Sequence, residues 1–130
     1  LVVILAGYKD RMDTFFKANP GMRSRIAHHI HFPDYTVSEL LDIADLMLKN
    51  QNYQFSPEAR KVFARYIEQR MKMPGFSNAR TVRNALDRAR LHQANRLYEK
   101  GGKCTVHDLM RIEAADILGS SDLEQVETAE

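Results

Sequence analysis

The sequence predicts a mostly α-helical chain in two parts, with two strands and one helix over residues 1–33 and a helical domain over residues 34–119. Three observations lead to that fold class. The chain opens on LVVILA, a continuous apolar run closed by Gly7, which is the pattern of a strand buried on both faces of a parallel sheet. Pro33-Asp34-Tyr35 then interrupts all regular patterning, and beyond it apolar residues recur only at helical spacing. Helix-start signals also stand where that spacing begins, at Thr36, Ser56 and Thr105.

Taken in order, Leu1 to Ala6 reads as the first strand, and its sheet neighbours must come from residues outside this sequence. Asp10 to Ala18 reads as a helix, with Met12, Phe15 and Phe16 at helical spacing and Asn19-Pro20-Gly21 as its stop. Ile26 to Phe32 reads as a second strand, with His28, Ile30 and Phe32 on one face and His29 and His31 on the other.

Four helices are expected after the break. Thr36-Val37-Ser38-Glu39 is a capping box, in which the hydroxyl and the carboxylate each satisfy a free backbone N–H. The helix behind it buries Leu40, Leu41, Ile43, Ala44, Met47 and Leu48. Ser56-Pro57 pairs an N-cap with proline at the first helical position, where a missing N–H costs nothing. That helix stacks Ala59, Val62, Phe63, Tyr66, Ile67 and Met71. Met73 to Phe76 forms a loop, and Ser77 or Asn78 caps the longest helix, which runs to about Tyr98 with Val82, Ala85, Leu86, Ala89, Gln93 and Leu97 inward. Gly101-Gly102 stops it. Thr105 begins a last short helical region containing Leu109, Met110, Ile112 and Ile117, and residues 120–130 form an acidic tail expected to be disordered.

Composition bounds the function classes. At 130 residues, 44% hydrophobic and 28% charged, the chain has the make-up of an ordinary globular domain, or of a fragment joined to a small one. The single Cys104 rules out an internal disulfide and a thiolate metal cage. No stretch approaches the ~18 apolar residues of a membrane span. The opening run is too short for a signal peptide and lacks a basic region before it, and a chain that opens inside an apolar run without Met reads as a fragment of a longer protein. Charge is uneven along the chain: residues 60–103 hold twelve Lys/Arg against three Asp/Glu, and residues 104–130 hold one Arg against seven acids. The basic block suits an anionic ligand, nucleic acid, an acidic partner, or simply a solvated helix face.

Two arginine-bearing segments carry candidate chemistry. In Asn19-Pro20-Gly21-Met22-Arg23-Ser24-Arg25, the Pro-Gly break is expected to hold Arg25 off any helix, at the entry to a strand. There its planar fork of donors can meet phosphate oxygens or a surface carboxylate. In Ser77-Asn78-Ala79-Arg80, Arg80 lies in the first turn of the long helix with Arg83 one turn on, and Asp87 stands where an ordinary surface ion pair is also available. His29 and His31 share a spacing seen in metal sites, but no further ligand or HExxH pattern joins them, so no metal site is read. No phosphate-binding P-loop, GxGxxG or nucleophile elbow is present in these residues.

LVVILAGYKDRM, NPGMRSRIAHHIHFPDY and FSNARTVRNALDRARLHQANRL, in that order and spacing, resemble the CbbX/CfxQ group of AAA+ ATPases, the red-type Rubisco activases. The resemblance covers residues 1 to about 118, and the helix containing Asn78-Ala79-Arg80 is its most specific part. Sporulation and secretion ATPases share the general NPG, SR and NAR pattern, whereas AHHI, QNY and the ALDRARL stretch look closer to the activases.

The resemblance implies that Leu1 to Ala6 and Ile26 to Phe32 are the fourth and fifth strands of an AAA+ α/β domain, and that the helices from Thr36 form its small lid. It matches Arg25 to the arginine finger, which serves the nucleotide of the neighbouring subunit in trans. Arg80 matches the sensor 2 arginine, which contacts the subunit's own nucleotide, and Arg83 takes that place if the register shifts by a turn. Tyr8 falls nearest the sensor 1 position, where many AAA+ proteins carry Asn or Thr. The implied cofactors are ATP and Mg²⁺, with the Walker A and B residues upstream, so this chain alone is expected to hydrolyse none. The implied partners are further subunits of a homo- or hetero-hexameric ring and the C-terminal tail of the Rubisco large subunit, with ribulose bisphosphate as an effector. The implied setting is the plastid stroma of a red-lineage alga or the bacterial cytoplasm. Two alternatives remain at this point: an AAA+ remodeller of another complex, and a non-enzymatic basic helical module, for which nucleic acid is a poor fit because no DNA-reading helix-turn-helix is evident.

Overall fold

A computed structural model describes residues 1–101 and 103–118. The chain divides after Pro33 into two compact units. The expected acidic tail over 120–130 lies outside the described residues.

The first unit holds helix α1 (Lys9–Ala18) and a single helical turn, α2 (Met22–Arg25), with no buried residue in either. Asn19 ends α1, and its side-chain amide donates to the Phe15 carbonyl at 2.9 Å. Gly21 follows at φ 88°, a left-handed turn that glycine adopts without the clash a Cβ would bring. Arg23 is held at 3.0 Å from Asp13 and lies over the Phe16 ring at 4.7 Å.

The two strands expected here are not formed. Residues 1–6 and 26–32 are irregular, and Leu1, Val2, Val3, Ile4, Ile30 and Phe32 are all exposed. A strand of a parallel sheet needs neighbours for its backbone N–H and C=O groups and cover for both faces. The described residues of this unit supply neither, so the apolar runs stay unpaired. The alternation that placed His29 and His31 on one face also lapses: His29 Nε2 lies 3.0 Å from the Arg23 carbonyl oxygen, and its ring packs edge-on against Phe16.

The second unit is built on helices α3 (Val37–Asn50), α4 (Pro57–Met71) and α5 (Ala79–Glu99), followed by the short α6 (Val106–Met110) and α7 (Ala114–Leu118). The capping box forms at Thr36: Glu39 N–H donates to its hydroxyl at 3.2 Å, and its own N–H donates to the Glu39 carboxylate at 3.0 Å. Ser56 caps α4 by accepting from Ala59 N–H at 3.1 Å. Leu40, Ala44 and Leu48 of α3, Ala59, Phe63, Tyr66 and Ile67 of α4, and Val82, Leu86 and Ala89 of α5 close one core with Ile112 and Ile117. Ile43, Met47, Val62 and Met71, expected inside, are partly buried at its margin.

Two features depart from an all-helical reading. Gln54–Phe55 (β1) pairs in parallel with Arg111–Ile112 (β2), Gln54 opposite Arg111 and Phe55 opposite Ile112. Ser56 N–H extends the pairing to the Ile112 carbonyl at 2.9 Å. That pairing splits the last helical region into α6 and α7, giving five helices in this unit among the described residues where four were expected. Such short strands separated by α4, α5 and α6 leave no local pattern to read, because only the fold brings them together.

Candidate functional site

The start of α5 is the place where predicted site residues meet other chemistry. Gly75, at φ 81°, turns the loop between α4 and α5. Thr81 closes the first turn by accepting the Ser77 N–H at 2.8 Å through its hydroxyl. Neither Ser77 nor Asn78 caps α5 with its side chain, contrary to expectation. Ser77 Oγ donates back to the Gly75 carbonyl at 3.3 Å, and the Asn78 amide is engaged elsewhere in the unit.

Beside this turn lies a cleft of about 110 Å³ lined by Arg70, Gly75, Ser77, Arg80, Thr81, Asn84 and Arg88. Three guanidinium groups line it, and no carboxylate does among the described residues. Arg70 is steadied by donating to the Pro74 carbonyl at 3.1 Å, and Arg88 by donating to the buried Tyr66 hydroxyl at 3.2 Å. Arg80 donates its backbone N–H to the Ser77 carbonyl at 3.1 Å, while its exposed side chain makes no hydrogen bond or ion pair among the described residues. The first turn of α5 carries no acid, so the partial positive charge at the helix N-terminus adds to the same field. Such a cleft suits an anion the size of one phosphate group. It is far below the ~300–1,000 Å³ of a pocket for a whole drug-sized ligand, and without a carboxylate it does not suit a Mg²⁺ ion.

Arg83 is exposed and does not line the cleft. Asp87, available to it by spacing, pairs instead with Arg90 at 3.3 Å. Residues 80, 84 and 88 recur every four positions and share a stripe of the helix, so Asn84 and Arg88 were within reach of the sequence reading. Arg70 was not, because it reaches the cleft from α4 across a loop.

Three other arginines of the basic block are compensated within the unit. Arg60 pairs with Asp45 at 3.0 Å and Asp42 at 3.6 Å, Arg90 also lies over the Tyr53 ring at 5.3 Å, and Arg96 holds Asp116. The cleft gathers the guanidinium groups of Arg70, Arg80 and Arg88 at one place in the unit.

The first unit presents its predicted residues differently. Arg25 does not enter a strand: it ends the turn α2, its N–H donating to the Gly21 carbonyl at 3.2 Å, because Gly21 reverses the chain and Ser24 Oγ closes onto the same carbonyl at 2.9 Å. Its side chain is exposed. Tyr8 is exposed at the N-terminus of α1, where its phenol caps nothing and the Arg11 guanidinium sits 5.7 Å from its ring. A wider hollow of about 470 Å³ in this unit is lined by Asp13, Phe16, Lys17 and Arg23. Arg23 and Asp13 already neutralise each other there, so the hollow offers a weaker anion site than the cleft. No group of three or more His, Cys, Asp or Glu able to hold a metal ion occurs among the described residues, and no described helix is long and apolar enough to cross a membrane.

Residues 36–128 match the model of the AAA lid domain family. The chain is 60% identical over 121 residues to the chloroplastic ribulose bisphosphate carboxylase/oxygenase activase of Cyanidioschyzon merolae, a match covering 92% of this chain and 41% of that protein. It is 58% identical over 119 residues to a CfxQ homolog of Cyanidium caldarium, covering 91% and 42%. It is 60% identical over 121 residues to the chromosomal CbxX protein of Cupriavidus necator, covering 92% and 38%. The chain thus spans about two fifths of the length of these curated relatives. With the match running from the capping box at Thr36 through every helix of the second unit, the chain belongs to the AAA lid domain family.

Proposed function

We propose that this chain is the C-terminal, nucleotide-sensing part of an ATP-driven activase that frees Rubisco from tight-binding sugar phosphates. The observation that carries the proposal is the cleft at the start of α5, where Arg80 stands unpaired among the described residues beside Arg70 and Arg88, with no lining carboxylate. The identity of about 60% to an activase over nine tenths of the chain supports Rubisco as the substrate class.

In this reading Arg80 is sensor 2 and offers its fork to the phosphate oxygens of the nucleotide bound by its own subunit. Arg70 and Arg88 surround the same cleft and raise the local positive potential. Arg25 acts in trans on the neighbour's nucleotide as the arginine finger, its exposed position leaving the guanidinium available to another subunit. Tyr8, equally exposed, is the residue nearest the sensor 1 position. ATP, held with Mg²⁺ by residues outside this sequence, supplies the free energy of phosphoryl transfer. The working assembly is a ring of such subunits, in the plastid stroma or the bacterial cytoplasm, as the sources of the relatives suggest.

The test uses the full-length protein with Arg80→Ala and Arg83→Ala, scored for ATP affinity, turnover and reactivation of inhibited red-type Rubisco. Arg80→Ala weakens ATP binding and abolishes reactivation, while Arg83→Ala stays near wild type. The opposite ranking moves sensor 2 to Arg83. Intact ATP turnover without any effect on Rubisco moves the client to another complex.

A further inference from the structure

Asn78, two residues before Arg80, adopts φ 48° and ψ −119°, a backbone conformation that costs a residue with a side chain of the order of 1–3 kcal/mol. Glycine would occupy it without strain. The asparagine side chain, however, makes two bonds that glycine could not. Its Oδ1 accepts the Tyr35 N–H at 3.1 Å, and its Nδ2 donates to the Asp34 carboxylate at 2.9 Å. Both partners lie just before the capping box of α3, and Asp34 is the first residue after the division between the two compact units.

From this geometry we propose that Asn78 is a positioning residue that clips the start of α5, and with it Arg80, to the junction segment Asp34–Tyr35. The clip works in both directions. It holds the first turn of α5 in one orientation, so that Arg80 meets an incoming phosphate group without first having to be ordered. It also passes any shift of that turn on phosphate binding to residue 34, where the chain leaves the lid. Among the described residues the amide has no other hydrogen-bond partner: Ser77 bonds to Gly75 and Thr81, and the Asn78 side chain makes no cap bond to α5. The inference rests on the assignment of Arg80 to the phosphates made above.

The test compares Asn78→Gly, Asp34→Ala, Asp34→Asn and Arg80→Ala in the full-length protein, with ATP as the titrated ligand. Asn78→Gly keeps the backbone conformation accessible and removes both bonds. It is expected to raise the KM for ATP about three- to tenfold, the range set by losing side-chain hydrogen bonds, while the thermal midpoint stays near wild type. Asp34→Ala reaches the same contact from the junction side, should the glycine variant fail to fold, and is expected to shift KM in the same direction. Asp34→Asn retains an acceptor oxygen and is expected to restore most of the affinity. Because Asn78 acts through Arg80, the double variant Asn78→Gly/Arg80→Ala should be no worse than Arg80→Ala alone. A KM unchanged in both Asn78→Gly and Asp34→Ala, with Arg80→Ala impaired, overturns the clip and leaves the phosphate assignment standing. Fully additive losses in the double variant overturn it as well. An unchanged KM in Arg80→Ala overturns both.

Discussion

Arg96 and Asp116 meet as a two-pronged pair, with Nε to Oδ1 at 2.8 Å and Nη2 to Oδ2 at 3.1 Å. Asp116 is 2% exposed, and its Oδ2 also accepts the Glu113 N–H at 2.8 Å, so one carboxylate fastens α7 both to α5 and to its own first turn. The same hydrogen bond to Asp116 raises the Arg96 pKa further above its already high value. Removing one partner strands the other, and a buried carboxylate without its cation is costly. Asp116→Ala is expected to lower the unfolding free energy by about 3 kcal/mol. Arg96→Leu should cost a similar amount, and Asp116→Asn less, because it keeps an acceptor for the Glu113 amide. Chemical denaturation of the three variants gives the order, and a surface-like loss of a few tenths in Asp116→Ala would refute it.

Gln93 sits two turns before the end of α5, 3% exposed, with its amide nitrogen directed at the carbonyls of Asp108, Leu109 and Arg111 at 3.2, 3.0 and 3.0 Å. Two N–H groups thus serve three acceptors at the end of α6 and the start of β2. Gln93→Leu keeps the volume but leaves those carbonyls without a donor. A loss of about 1–3 kcal/mol is expected, with amide exchange accelerating first around residues 108–112. Unchanged exchange there would show that the carbonyls find water at no cost.

Two capping boxes make stability depend on acid. The Thr36 N–H, followed by its hydroxyl, holds Glu39 below its ordinary pKa of 4.5, and the Thr105 N–H and hydroxyl hold Asp108 below 3.8. A carboxylate whose folded pKa is lowered binds its proton more readily in the unfolded chain. Its contribution is therefore complete above the ordinary values and is lost as pH falls through the lowered folded ones. Thermal midpoints should hold steady from pH 7 to about pH 5 and then decline, and Glu39→Gln should flatten part of that decline. A midpoint that falls equally in Glu39→Gln would place the acid sensitivity elsewhere.

Under the proposed function, Arg25 would act only between subunits. In the full-length protein, Arg25→Ala is expected to lower ATP turnover by roughly 10³-fold or more, as loss of an arginine finger does in other NTPases. Mixing this variant with wild type should depress turnover in proportion to the mutant fraction, because each altered subunit disables its neighbour's site. Normal turnover in the homogeneous variant would remove Arg25 from the chemistry.

Local chemistry made a large part of this protein legible. The helix starts at Thr36, Ser56 and Thr105 follow from side chains that reach only three residues ahead, and each forms the bond its spacing implies. The inward faces of α3, α4 and α5 follow from helical periodicity, down to Gln93 as a polar residue inside. Arg80 was visible through its motif, and Arg88 and Asn84 lay on the stripe that its spacing defines. The strands read at residues 1–6 and 26–32 were a sound inference from composition, yet a strand is completed by its neighbours, and the described residues contain none for them.

By itself, then, the sequence determined the helices, their caps and the apolar surfaces that must meet, because each depends on residues a turn or two apart. The tertiary structure alone decided the β1–β2 pairing, the approach of Arg70 to Arg80, the three carbonyls on Gln93 and the clip from Asn78 to Asp34. Each of these joins residues ten or more positions apart, and contacts that distant carry no local signature. Packing the helices around Leu40, Phe63 and Val82 brings them together, and the guanidinium groups that line the phosphate-sized cleft are gathered by the same core.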